Sequence, residues 1–228
     1  MARMNQEAID EFIRKYENLY FIPVSKKEKE QKLGKVRLTG TERKVEECLF
    51  PNDRIEKCSN IEPLHIAWKA GRLTSDMLKK ESVIPPLNGY GKSIDNLDMF
   101  LNKVNEKCSE IQSHIEEDNK DAAIQVLIDC KNELSVKYLG SVYLLAILFF
   151  LSGGQYPVYD KYAHTAVKAL YFEKEPKDIF VGEAEQKIDD RIKGMYDEYC
   201  WFLEQVFGTH TITRNVDRAL WVYGHKSI

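Results

Sequence analysis

The stretch GGQYPVYDKYAHTAVKAL, residues 153 to 170, follows an unbroken apolar run from Val142 to Leu151. The run predicts a helix that is buried on all sides, because it has no polar face. Two glycines stop this helix, and the tripeptide YPV after them reads as extended chain. Asp160 stands where an amphipathic pattern begins, and a carboxylate there can cap the new helix by accepting hydrogen bonds from its first N–H groups. The segment therefore predicts two helices joined by a short break, with a carboxylate at the junction.

Helical periodicity continues through most of the other segments. Further helices are expected within residues 5–20, 41–50, 61–72, 93–117, 121–133, 184–207 and 215–223. Residues 32–40 alternate enough to suggest a short strand or hairpin arm. The sequence therefore predicts a mainly α fold with at most a small β arm near the N-terminus.

The turn-rich stretch IPPLNGYG, residues 84–91, is the best internal boundary. It divides an N-terminal helical and basic segment, residues 1–90, from a helical region at residues 91–228, and the two are expected to pack as one compact unit. Within the first segment, residues 25–44 hold eight Lys or Arg against three Glu. This basic stretch is either a solvated surface or an arm that follows phosphates.

Composition and charge exclude several classes of function. The 228-residue chain has a formal net charge of -3, so it has no bulk attraction to nucleic acid, and any DNA contact needs a local basic patch. Its five cysteines form no Cys-x-x-Cys pair and its histidines show no metal-ligand spacing, so no metal or cofactor is expected. The N-terminal residues lack an apolar signal core, and the run of ten apolar residues is too short to cross a bilayer. We therefore expect a cytoplasmic protein without membrane contact.

The order of these elements resembles the helix-hairpin-helix DNA glycosylase superfamily, and within it the small proteins related to 8-oxoguanine glycosylases. Members tend to carry a glycine turn before an apolar helix, a Pro-Ile-Tyr-Asp step, and a late helix with the pattern D-x-x-L-W-x-x-G. The matching residues here are Gly140, PVYD at residues 157–160 and DRALWVYG at residues 217–224. The likeness covers roughly residues 120–225. It implies an orthogonal bundle of helices of the glycosylase type.

The resemblance also implies that DNA is the partner and that the hairpin turn binds its backbone. Gly140 would let N–H groups at a helix start approach a phosphate, using both free donors and the helix dipole. Asp160 would be the carboxylate that stabilises positive charge on the sugar, or activates the attacking nucleophile, as the base departs. Further candidate DNA contacts lie beside the turn or the acid, at Lys137, Tyr138, Ser141 and Lys161.

Tyr159 and His164 flank Asp160 and are candidates for the pocket that receives a flipped base. Each has a structural interpretation as well, because tyrosines commonly pack in cores and a histidine one turn into a helix is commonly a core or surface residue. Asp160 itself could be a helix cap alone, worth about 1 kcal/mol. The capping and catalytic roles are compatible.

Two departures from the glycosylase pattern bear on activity. The hairpin has one of the usual two glycines, and Ser141 stands where strand-cleaving glycosylases carry a lysine that forms a Schiff base with the sugar. The nearest lysine, Lys137, lies on the other side of the turn. We therefore expect either a monofunctional N-glycosylase or a non-catalytic helical module that binds DNA or protein on the same fold. A monomer is favoured in both cases.

Overall fold

The computed structural model describes residues 3–20, 40–70, 88–89, 92–181 and 190–225. Within these residues the chain is mainly α-helical, which confirms the predicted class. The helices are α1 (Gln6–Tyr16), α2 (Gly40–Leu49), α3 (Pro63–Ala70), α4 (Leu97–Glu106), α5 (Cys108–Glu116), α6 (Lys120–Glu133), α7 (Ser141–Leu151), α8 (Lys161–Phe172), α9 (Asp190–Phe207) and α10 (Arg214–His225). A two-residue antiparallel ladder pairs Asn88–Gly89 (β1) with Lys92–Ser93 (β2). The predicted arm at residues 32–40 lies outside the described residues, except for the glycine that begins α2.

Helix α7, the predicted apolar helix, is buried along most of its length. From Leu144 to Leu151 every residue is at most 3% exposed. Helices α3, α5 and α6 pack on it, and the ring of Phe50 stacks on that of Phe150 with centroids 5.8 Å apart. This packing follows from the sequence, because a helix without a polar face is most stable when apolar neighbours cover every side. Among the described helices, none is both long enough and apolar enough to span a membrane.

The two glycines after α7 let another part of the chain pack on the end of the helix. Gly153 and Gly154 have φ angles of 60° and 82°, a left-handed backbone that residues with side chains rarely adopt. A Cβ on Gly153 would lie 3.1 Å from the backbone nitrogen of Lys57. The Cys58 N–H donates to the Phe150 carbonyl at 3.0 Å. The loop before α3 is therefore fixed against the point where α7 ends.

Helix α8 packs against α9 and α10, and its first turn lies directly against the last turn of α10. A Cβ on Gly224 would overlap the carbonyl oxygen of Tyr162, so only glycine fits there. This close approach explains the glycine that ends the D-x-x-L-W-x-x-G pattern. It also brings the end of α10 next to Asp160, the residue that precedes α8.

The N-terminal helices belong to the same core as the C-terminal ones. Helix α1 and the 3-10 turn Glu17–Leu19 pack on α10, while α3 packs on α7. The backbone N–H of Met4 donates to the carbonyl of Val206 near the end of α9, at 2.9 Å. The domain boundary near residue 90 and the glycosylase type of the bundle stay predictions.

Candidate acid site at the start of helix α8

Asp160 occupies the N-cap position of α8, as the sequence predicts. One carboxylate oxygen, Oδ1, accepts a hydrogen bond from the backbone N–H of Tyr162 at 2.8 Å. The other, Oδ2, accepts one from the ammonium group of Lys69 at 3.1 Å. The Asp160 side chain remains 23% exposed. The Asp160 side chain is therefore not closed to solvent, although both carboxylate oxygens have a partner.

Lys69 is a site residue that the sequence did not reveal. It lies in the last turn of α3, 91 positions before Asp160, and its side chain is only 10% exposed. Its segment, IEPLHIAWKAGR, has the ordinary pattern of a small helix with an apolar inner face, and no motif singles out the lysine. Only the packing of α3 beside α7 brings its ammonium group to the start of α8.

The environment of Asp160 keeps its carboxyl group ionised. Burial raises the pKa of this group, but the charge of Lys69, the neighbouring His225 and the hydrogen bond from the Tyr162 N–H lower it by more, so that the pKa falls below its usual value. The result is a negative charge that stays in place over the whole neutral range. Its geometry is restrained from both sides by hydrogen bonds.

His225, at the end of α10, forms the other wall of this site. Its ring lies against that of Tyr162, with centroids 3.4 Å apart, and against that of Trp221, with centroids 4.0 Å apart. His225 Nδ1 lies 2.8 Å from the Trp221 carbonyl oxygen, which can only accept, so Nδ1 carries the proton. Burial lowers the pKa of the imidazole, although Asp160 and the bond to Trp221 act in the opposite direction. We call Lys69, Asp160, Tyr162 and His225 the acid site.

A second group of charges holds the helices that carry the acid site. Glu46, on α2, accepts hydrogen bonds from Trp68 Nε1 at 2.8 Å, from Arg214 Nε at 3.1 Å and from Arg218 at 3.4 Å. Arg214 also pairs with Asp217. Trp68 precedes Lys69 on α3, and the two arginines lie on α10, so this group ties together the two helices that supply Lys69 and His225. We call Glu46, Arg214, Asp217 and Arg218 the buried ionic cluster.

The residues predicted to bind DNA are partly exposed and partly covered. Lys137 is exposed, and Lys161, directly after Asp160, is half-buried. Gly140 is the N-cap of α7 and is buried, and Ser141 is 1% exposed. Gly140 has a φ of -74°, whereas the left-handed position of the turn is taken by Tyr138 with a φ of 64°. The binding of a phosphate at this turn stays a prediction. Lys137 is the exposed basic residue beside the turn.

Tyr159 and His164, the candidate base-pocket residues, lie inside the protein. Their side chains are 2% and 0% exposed, and the rings of Tyr199 and Phe202 cover His164. Burial and the nearby Lys168 ammonium lower the pKa of His164 to about 3, so this imidazole is neutral. A role in binding a base stays a prediction that requires the covering side chains to move.

The site has no group of ligands suited to a metal ion in the part of the chain that is described. Comparison with known proteins finds no matching family model, no matching curated protein and no matching solved structure. Any function assigned to the acid site therefore depends on its own geometry and on the motif residues.

Proposed function

We propose that the protein binds DNA and acts as a monofunctional N-glycosylase, with Asp160 as the excision carboxylate. The observation that carries this proposal is the state of Asp160: an ionised, partly exposed carboxylate, fixed by the Lys69 ammonium and the Tyr162 N–H. Such a group supports a reaction in which positive charge develops next to it. The motif residues that resemble glycosylases supply the substrate class.

Cleavage of a glycosidic bond produces a sugar with oxocarbenium character in the transition state. A carboxylate already held in place stabilises that cation without having to reorganise as the bond breaks. In Asp160 the hydrogen bonds to Lys69 and to the cap N–H supply this preorganisation. A base within a duplex has to leave the stack before it can reach such a group, so the proposal includes base flipping.

The most direct test compares the protein with its Asp160→Asn variant on a panel of duplexes that each carry one damaged base. Asparagine caps helices nearly as well as aspartate, so the fold and DNA binding should be kept. Release of the base should fall by at least ~10²-fold, the scale of losing one electrostatic stabiliser. The readout is the yield of abasic sites. The matched control is Asp129→Asn, which removes an exposed carboxylate on α6 that bonds only to a neighbouring glutamine in the described chain.

The alternative is a helical module that binds DNA or protein without catalysis. The observation that favours it is that both oxygens of Asp160 already have partners, so that the residue could serve only to join α3 to the start of α8. On this alternative, no duplex in the panel loses its base, and Asp160→Asn changes nothing but stability. Salt-dependent duplex binding without base release would select the DNA-binding form of the module.

A further inference from the structure

We propose that His225 is the proton acceptor that activates the attacking water at the acid site, and that Asp160 acts there only as a fixed negative charge. This inference rests on the proposed function and divides its chemistry between two residues. His225 belongs to none of the motif positions that suggested a glycosylase, apart from following their last glycine.

Asp160 is a weak candidate for the base. Its two oxygens are taken by Tyr162 and Lys69, and the pKa of its carboxyl group lies below the ordinary value. A general base is most effective when its pKa is close to the working pH. An ion-paired carboxylate is a poor proton acceptor at neutral pH but a good source of negative charge. Another group is therefore needed to take the proton from water.

His225 has the geometry that this role requires. Because Nδ1 donates to the Trp221 carbonyl, the neutral ring carries its lone pair on Nε2. No residue in the described part of the chain bonds to Nε2, and the side chain is only half-buried. The ring lies on that of Tyr162, whose backbone N–H donates to Asp160 Oδ1, so the imidazole and the carboxylate both contact the first turn of α8.

Burial keeps the imidazole of His225 neutral at neutral pH, so that it can accept a proton. Among the described residues, the titratable groups that face it are Asp160, Lys69 and Tyr162. Burial lowers the pKa of the imidazole, and Lys69 lowers it further, while Asp160 opposes both. The nearby carboxylate then stabilises the imidazolium that forms when a proton arrives. The imidazole is thus unprotonated at neutral pH. When it takes up a proton, the Asp160 carboxylate serves as its counter-ion.

The chemical step is a hydrolysis that balances without any oxidant or metal. Nε2 of His225 takes a proton from water while the water oxygen forms a bond to C1′ of the sugar. The C1′–N bond breaks, and its electron pair leaves with the base. The base then takes up a proton from the imidazolium or from solvent, which restores the neutral histidine. Asp160 does not exchange a proton at any stage.

The test measures kcat/KM against pH for base release by the full chain, on whichever duplex of the damaged-base panel it cleaves best. For the unchanged protein we expect activity to fall at acid pH, with a midpoint below the ordinary histidine pKa of about 6.5, because protonated His225 cannot accept and its pKa is lowered. His225→Gln should lower the rate by about 10²- to 10⁴-fold and remove this acid limb. Asp160→Asn should lower the rate but keep the limb. His210→Gln, at a half-buried histidine paired with Glu204, is the matched control and should change neither.

A second variant separates chemistry from packing. His225→Ala leaves a space beside Tyr162, and imidazole added to the solution should restore part of the base release while the duplex affinity stays constant. Full activity and an unchanged acid limb in His225→Gln, together with loss in Asp160→Asn, would overturn the role of His225 and leave the proposed function standing. Loss of activity in His225→Ala that imidazole does not restore, in a protein that melts normally, also argues against it. Absence of base release from every duplex overturns the proposed function itself, and this inference with it.

Discussion

Two groups of charged side chains lie along α10, one near each end of the helix. The buried ionic cluster is closed to solvent: the side chains of Glu46 and Arg218 are 2% exposed. The acid site, at the other end, keeps Asp160 at 23% exposure. In both groups a carboxylate pairs with a basic side chain. Both groups also include a residue from a helix in the N-terminal third of the chain. They differ mainly in how far water can reach them.

Because they differ in solvent exposure, the buried ionic cluster and the acid site differ in what they can do. Burial raises the pKa of Glu46, but Arg214, Trp68 and Arg218 lower it by more, so this carboxylate is ionised although it is closed to solvent. Buried ion pairs of this kind fix the positions of helices relative to one another and leave no exposed side chain for a ligand to contact. Asp160 is ionised for the same reason, yet its side chain is partly exposed and a neutral imidazole lies beside it. The comparison teaches that ion pairing alone does not separate a structural carboxylate from a candidate catalytic one, and that the two carboxylates differ in their access to solvent.

Removing Glu46 should have the largest effect on stability. Glu46→Ala leaves Arg214 and Arg218 buried with fewer partners, and breaking one side of a buried ion pair costs about 3–5 kcal/mol. The free energy of unfolding from denaturant melts checks this. Glu110→Ala is the control, because its pair with Lys107 is on the surface and its loss should leave the melt nearly unchanged. If both variants lose the same free energy of unfolding, the expected difference between buried and exposed ion pairs is wrong.

Lys69→Gln should weaken the protein less, by about 1.5–3 kcal/mol at pH 7, the range for a hydrogen bond to a charged group. The pKa of Asp160 is lowered in the folded protein, so its pairing contributes fully above about 3.9, the unfolded value, and is lost as the pH falls through the folded value. The difference between the two proteins should therefore shrink in melts at pH 3 or below. A constant difference at all pH values would show that Lys69 stabilises by packing alone.

Gly224→Ala tests the close approach of α10 to α8. The new methyl group meets the Tyr162 carbonyl, and overpacking of this kind costs about 1–3 kcal/mol. The helices must separate, which moves His225 away from Tyr162 and should also reduce base release. Gly194→Ala is the control, since nothing lies near a Cβ at that position of α9. Equal stability of the two alanine variants would contradict the tight contact.

Lys137→Glu should have the smallest effect. Lys137 is exposed, so the fold should be unchanged, but any DNA binding should weaken and its dependence on salt should become less steep, by about one unit of slope. Duplex affinity at several salt concentrations gives the measurement. Glu133→Gln, at an exposed carboxylate near the same turn, is a comparison that should not weaken binding. An unchanged slope in Lys137→Glu would exclude the turn as a phosphate contact.

Several features were predictable because they depend on residues close together in sequence. The burial of α7 follows from ten apolar residues in a row, and the cap at Asp160 follows from a carboxylate at the start of an amphipathic pattern. The break between the two helices follows from Gly153 and Gly154. Lys69 was not predictable, because 91 positions separate it from Asp160 and its own helix has an ordinary pattern. His225 was not predictable either, because the histidines show no metal-ligand spacing and only the contact at Gly224 brings the end of α10 to the start of α8.

By itself, the sequence determined the mainly α class, the central apolar helix and the position of a carboxylate at a helix start. These are local properties, set by periodicity, helix-stopping glycines and capping chemistry. The tertiary structure alone decided which groups surround that carboxylate. The packing of α3 on α7 brought Lys69 to Asp160, and the contact at Gly224 brought His225 to Tyr162. The pKa of a side chain depends on charges and burial that distant segments supply, so the chemistry of the acid site appears only when the helices have packed.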